Sequence, residues 1–148
     1  VVAQHEQVEK LALSYGYEII HNKHPEKGIS HSIVLAVNSC KEDDGILFMV
    51  ADQPLLKETT LQNILEKADE KHIVCVGNHD NFQNPMLFPK RYYEELLQLQ
   101  GDKGAKKIAY VHKENVICVP CEKDEVFDFD TKKELQQFMM EGLNKDKC

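Results

Sequence analysis

Gly45-Ile-Leu-Phe-Met-Val-Ala-Asp52-Gln53-Pro54 is the stretch from which the fold is read. Six apolar residues, 46–51, run unbroken into a carboxylate. A run that short falls below ordinary helix length and suits a central strand covered on both faces, as in a parallel sheet. Ligands of open α/β sheets gather at the carboxyl ends of strands, so Asp52 stands where a metal ligand or catalytic acid would be placed. A carboxylate there also caps a turn, and Pro54 leads the chain away toward the next helix. Both readings of Asp52 fit the stretch.

Toward the N-terminus, residues 29–37 carry apolar side chains at 29, 33, 34 and 37, the spacing of an amphipathic helix. Gly28, Ser30 and Ser32 at its start offer donors for an anion or a ribose, and Ser30 serves equally as a plain N-cap. Residues 5–15 predict another helix through Val8, Leu11, Ala12 and Tyr15, stopped by Gly16. Residues 17–20 form a short strand that runs into a polar loop.

Toward the C-terminus, Leu61, Ile64, Leu65 and Ala68 mark a helical face, and residues 72–76 a buried strand. An Asn- and Asp-rich loop spans 78–84, ahead of Pro85-Met-Leu-Phe88. Pro89 fits the first turn of a helix through Tyr92, Tyr93, Leu96 and Leu97 that Gly101 closes. Gly101-Asp102-Lys103-Gly104 opens the next helix, 105–111, either to hold a phosphate or carboxylate or as a tight connection. Residues 115–119 are the last clear strand. In 126–131 apolar and acidic residues alternate, which puts Asp128 and Asp130 on one face if the segment is extended. Thr131 and Glu134 form the capping box of a final helix with Leu135, Phe138 and Met139, and 144–148 fray.

Strands alternate with helices throughout, so the class is α/β with a mostly parallel sheet and helices on both faces. The 148 residues make one domain, 1–148, and a 42% hydrophobic, 29% charged composition is that of a soluble globular chain. A net charge of −7 with no basic block argues against general phosphate-backbone binding but not against a nucleotide carried with a divalent cation. No apolar run reaches membrane-spanning length and no signal peptide opens the chain. Five cysteines without framework spacing point to a reduced, cytoplasmic setting. The lone Cys118-x-x-Cys121 lies in or beside a strand and reads as structural rather than as a zinc site. Val1-Val2-Ala3-Gln4 looks like the end of a strand, so an N-terminal portion is expected ahead of it.

Gly28-x-Ser30-x-Ser32, Asp52-Gln53-Pro54, Asn84-Pro85-Met-Leu-Phe88, Gly101-Asp102-Lys103-Gly104-Ala105 and Asp128-Phe-Asp130-Thr131 follow one another over nearly the whole chain. Together they resemble the nucleotidyltransferase family of the molybdenum cofactor cytidylyltransferases and their guanylyltransferase cousins. Asp-Gln-Pro and the closing Asp-x-Asp-Thr look more like the cytidylyl branch. Lys57 sits where the family has a Ser or Thr helix cap, and Gln83 where a glycine often precedes Asn-Pro.

The resemblance implies a three-layer Rossmann-like fold, here N-terminally truncated, because nothing in the chain matches the family's opening glycine-rich triphosphate loop. It therefore implies that the chain alone is inactive. The implied reaction moves CMP from CTP to the phosphate of molybdopterin with release of pyrophosphate. Asp52 would be the catalytic group, and Asp52 with Asp130 would hold Mg²⁺. Gly28, Ser30, Ser32 and Asp52 would contact the nucleotide; Asn84, Pro85, Gly101, Asp102, Lys103 and Gly104 would border the acceptor. A molybdenum hydroxylase would receive the product, with no nucleic acid and no membrane as partner. The competing expectations are a non-catalytic nucleotide- or cofactor-binding chaperone module, and the same chemistry on another phosphorylated acceptor such as a sugar phosphate.

Overall fold

The computed structural model describes residues 1–145, and from 139 onward the backbone only. The expected frayed tail beyond 145 and the Met139 side chain lie outside the described residues. In chain order the elements are β1 (Val2–Ala3), α1 (Glu6–Ser14), β2 (Ile20–His21), α2 (Ile29–Ser39), β3 (Gly45–Phe48) and α3 (Glu58–Glu66). They continue as β4 (Ile73–Asn78), β5 (Asn81–Pro89), α4 (Tyr93–Leu97), α5 (Lys106–Val111), β6 (Val116–Val119) and α6 (Lys132–Lys145).

The helices fall where the apolar spacing predicts. α1 ends before Gly16, at φ +79°, and α6 opens with the expected reciprocal cap: Thr131 Oγ1 accepts from the Glu134 amide at 3.2 Å, and the Thr131 amide donates to Glu134 Oε2 at 2.8 Å. The stripe on α1 behaves differently from its pattern. Ala12 is buried, whereas Val8, Leu11 and Tyr15 stand in solvent.

Four strands form the main sheet in the order β3-β5-β4-β6, while β1 and β2 pair in parallel as a separate two-stranded sheet. β5 runs antiparallel to both β3 and β4, and β6 parallel to β4, so β3, β4 and β6 share one direction and β5 opposes them. Strand alternation sends Ile73, Cys75, Phe82, Met86 and Phe88 to one face, against Ile33 and Val37 of α2, Leu96 of α4 and Ile108 of α5. Val74, Val76, Leu87 and Val119 face the other way and pack on Ile64 of α3. Helices cover both faces, giving the three-layer Rossmann-like arrangement.

Two expectations change. The apolar run 46–51 predicts a central strand, but the ladder stops at Phe48 and β3 is the edge of the four-stranded sheet. Met49, 51% exposed, and Ala51 leave the ladder to feed the turn that presents Asp52 and Gln53. An apolar run reports a preference for burial without naming its neighbours. Of residues 78–84, expected as a loop, only 79–80 form a turn; Asn78 ends β4 and 81–84 open β5. Pro85 is tolerated there because the register jumps between the pairs Cys75–Met86 and Val76–Gln83, leaving Asn84 and Pro85 as a bulge. A residue without an N–H costs no ladder bond at a bulge.

Candidate active site

The turn after β3 and the segment after β6 are bonded to each other at several points. Gln53 is buried, and its Nε2 donates to Asp128 Oδ1 at 2.8 Å across 75 positions of sequence. The Phe129 amide donates to the Asp52 carbonyl at 2.9 Å. Three residues before Asp128, Glu125, only 4% exposed, reaches the start of α3. Its Oε2 accepts from Thr60 Oγ1 at 2.5 Å and from the Lys57 amide at 3.1 Å, while Oε1 accepts from the Glu122 amide at 3.1 Å. Burial pushes the Glu125 carboxyl up, but the Thr60 hydroxyl and the Glu122 and Lys57 amides outweigh it and hold the group below the usual carboxylate range. Lys57 itself, at the N-cap of α3, makes no side-chain cap.

These contacts frame a cleft of about 180 Å³ lined by Asp52, Gln53, Gln83, Asn84, Lys106 and Asp128. The bulge in β5 is what brings Asn84 to it. Lys106 is held at the rim by a bond from Nζ to Asn81 Oδ1 at 3.1 Å. Two carboxylates beside side-chain amides are hard oxygen donors, the set a small divalent cation prefers. Among the described residues no three His, Cys, Asp or Glu side chains converge as a metal cluster. A cation here would therefore draw few ligands from protein and the rest from substrate oxygens and water. Asp130 is exposed and is not among the side chains lining the cleft; Asp128, on the same alternating segment, is.

A second cavity, of about 430 Å³, opens between β1, the loop after β2 and the start of α2, with Asn22, Gly28, Ile29, Ser32 and Asp102 on its walls. Asn22 is buried and tied down at both ends: its Nδ2 donates to Ser32 Oγ at 3.0 Å and its Oδ1 accepts from the His24 amide at 2.9 Å. Gly28 sits at φ +78°, ψ −176°, a combination that suits only glycine. A Cβ there would strike Asp102 Oδ1 and would lie 2.6 Å from the Gly101 carbonyl. Ser30 does not cap the helix: it is buried, its hydroxyl faces the Lys27 carbonyl at 3.4 Å, and its amide donates to the Gly101 carbonyl at 3.2 Å.

The expected site residues thus regroup. Gly101 and Asp102, expected with Asn84 and Pro85, pack instead on Gly28 and Ser30, while Asn84 joins Asp52 and Pro85 is buried behind it. Lys103 and Gly104 line neither cavity. Lys106, Asn22 and Glu125 belong to no local motif in the chain. An Asn inside a polar loop and a Glu in an acidic stretch look like solvent residues until tertiary contacts bury them. Asp128 carried a signal, its two-residue spacing from Asp130.

The Cys118-x-x-Cys121 pair divides between the two faces of the sheet. Cys118 lies opposite Cys75 in the β4–β6 register, on the α2 face, whereas Cys121 packs with the Ile64 cluster. Burial, reinforced by Cys118, pushes the Cys75 thiol up to about 12.

A three-layer sandwich on a mixed sheet, with a carboxylate cleft at strand ends and a polar cavity at a helix start, is an architecture suited to a small-molecule ligand. The sequence model of the MobA-like NTP transferase domain matches residues 1–116, and the chain belongs to this family of nucleotidyltransferases. Solved structures share the fold. A nucleotidyl transferase from Methanothermobacter thermautotroptrophicus superposes with a TM-score of 0.78 at 18% identity, over 94% of this chain and 69% of that one. Rv0371C from Mycobacterium tuberculosis H37Rv, solved in complex with manganese, gives 0.70 at 22% over 94% and 74%. Molybdopterin-guanine dinucleotide biosynthesis protein A from Archaeoglobus fulgidus gives 0.62 at 22% over 92% and 74%. Another structure of Rv0371c is spanned over 63% of its length. At these identities the likeness is one of fold. Among the described residues no helix is long and apolar enough to cross a membrane.

Proposed function

We propose that the protein transfers CMP from CTP to the phosphate of molybdopterin. The observation that carries this reading is the bonding of the Asp52-Gln53 turn to Asp128, which gathers two separate acidic motifs into one cleft. The pairing of Asp-Gln-Pro with Asp-x-Asp-Thr is what favours the cytidylyl branch. In the reaction an acceptor phosphate oxygen forms a bond to the α-phosphorus of CTP. The α–β bridging P–O bond breaks, and pyrophosphate leaves with the electron pair. Little covalent work falls to the protein, so orientation and charge neutralisation dominate.

Asp52, with the segment carrying Asp128 and Asp130, would hold Mg²⁺, which when bound supplies countercharge to the triphosphate. The polar cavity at Asn22, Gly28 and Ser32 is suited to the nucleoside, and Lys106 and Asn84 to an anionic acceptor at the cleft. A molybdenum hydroxylase is the partner that would take the product.

The test is pyrophosphate release by the intact protein with CTP or GTP and molybdopterin as acceptor. Asp52→Asn keeps size but removes charge, and stabilisation of this kind is worth several kcal/mol, so turnover should fall ~10²-fold or more. Circular dichroism should be unchanged, because Asp52 is exposed and outside the core. Near-normal turnover of the folded variant would remove Asp52 from the mechanism, and a preference for GTP would overturn the cytidylyl assignment.

A further inference from the structure

The start of α3 lacks the side chain that would normally cap it. Lys57 occupies the N-cap and contributes only its backbone, yet its amide is satisfied by a carboxylate from 68 positions away. Glu125 supplies that carboxylate, and each of its oxygens is in use. One bonds Thr60 and Lys57 on α3, the other bonds Glu122 in its own turn. The bond to Thr60 is buried at both ends, since Thr60 is 3% exposed. A buried carboxylate that accepts three donors is a fixed point, because removing it leaves those donors without partners.

What it fixes lies on either side of the cleft. Five residues before Lys57 comes Asp52, and three residues after Glu125 comes Asp128. Between them run the Gln53–Asp128 bond and the bond from the Phe129 amide to the Asp52 carbonyl. Gln53 and Phe129 reach their partners only with the two segments in register, and of the side-chain bonds joining these segments the Glu125–Thr60 bond is the one buried at both ends. The Lys57–Glu122 ion pair at 2.6 Å joins the same two segments, but its side chains are 48% and 74% exposed and a surface pair of this kind holds little.

We infer that Glu125 is the positioning residue of the acidic cleft: by capping α3 from a distant segment of the same chain it locks the Asp52 turn to the Asp128 segment and so sets the spacing of the two carboxylates. It touches neither substrate nor cation. The inference rests on the transferase reading of the cleft, and its geometric half stands without it. Glu125→Gln keeps the shape but puts an NH₂ group where one of two accepting oxygens was. Thr60→Val removes a single bond and leaves the carboxylate in place, while Thr60→Ser restores the hydroxyl.

The experiment measures three quantities on the intact protein: turnover with saturating CTP and acceptor, Mn²⁺ affinity by paramagnetic resonance, and exchange of the Phe129 amide by NMR. Misplacement of a catalytic group by a fraction of an ångström costs rate more than binding, so Glu125→Gln should lose about tenfold or more in kcat with KM for CTP little changed. Mn²⁺ should bind several-fold more weakly, and the Phe129 amide should exchange about tenfold faster as the latch opens locally. Thr60→Val should move all three in the same direction and Thr60→Ser should restore them; Glu58→Gln, on the same helical turn but outside the latch, should leave them at wild-type values. If Glu125→Gln does not fold, the Thr60 pair decides alone. Wild-type kcat and Phe129 protection in a folded Glu125→Gln or Thr60→Val protein would overturn the inference. If the wild-type protein transfers no nucleotide, the transferase reading fails instead, and the exchange of Phe129 still decides whether Glu125 holds the segments together.

Discussion

Gly28 shows how a single residue can join two motifs. Its backbone conformation is open to glycine alone, and the missing side chain is what lets the Gly101-Asp102 loop rest on it. Gly28→Ala combines backbone strain of about 1–3 kcal/mol with a collision against the Gly101 backbone, 2.6 Å from the added Cβ. A fall in thermal midpoint of at least several degrees is expected by differential scanning calorimetry; an unchanged midpoint would show that the 101–102 loop moves aside freely. Cys75 provides a pH reading. Its thiol is pushed up from 9.0 to about 12, so the folded protein binds that proton more tightly than the unfolded chain. The contribution is complete below pH 9 and is lost as pH rises from 9 toward 12. At pH 8.5 in native protein, Cys75 should resist iodoacetamide for as long as the fold persists and should label at once in denaturant, with mass spectrometry reading the site. No stoichiometric zinc is expected, because Cys118 and Cys121 face opposite sides of the sheet.

Among the elements, α3 serves both the core and the candidate site. Its nine residues cover the face formed by Val74, Val76, Leu87 and Val119, and Ile64 is the fully buried side chain it inserts there. Ile64→Ala removes that side chain from a close-packed layer, at a cost of about 2–5 kcal/mol. The midpoint should drop by on the order of 10 °C in a circular dichroism melt. Since α3 also receives the Glu125 cap, the same variant should loosen the Phe129 amide; a melt within a degree or two of wild type would mean the layer is held elsewhere. β5 makes the complementary point. A strand containing Pro85 survives because its bulge falls at the proline, and that irregularity is what turns Asn84 toward Asp52.

At the scale of the whole molecule, two cavities sit on different parts of one architecture, and under the proposed function a nucleotide bound there would favour the folded state. A ligand that binds only the native form stabilises it by mass action, by about 2.7 kcal/mol at a hundred times its dissociation constant. CTP with Mn²⁺ should raise the thermal midpoint of the intact protein, chelation should reverse the part that depends on the cation, and GTP should do less. No shift with any nucleotide would separate the fold from nucleotide binding. The alternation of apolar spacing between helix and strand was enough, read from the chain alone, to define the α/β class, the helix positions, the Thr131–Glu134 cap and the placing of Asp52 beyond a strand end, because these depend on neighbours a few residues apart. The edge position of β3, the strand β5 and the pairing of Gly28 with Gly101 depended on the tertiary structure. So did the choice of Asp128 over Asp130 at the cleft and the burial of Glu125 against α3. Each is a contact between residues tens of positions apart, settled by which surfaces pack and which hydrogen-bond donors are left to satisfy, and no local pattern in the chain records that.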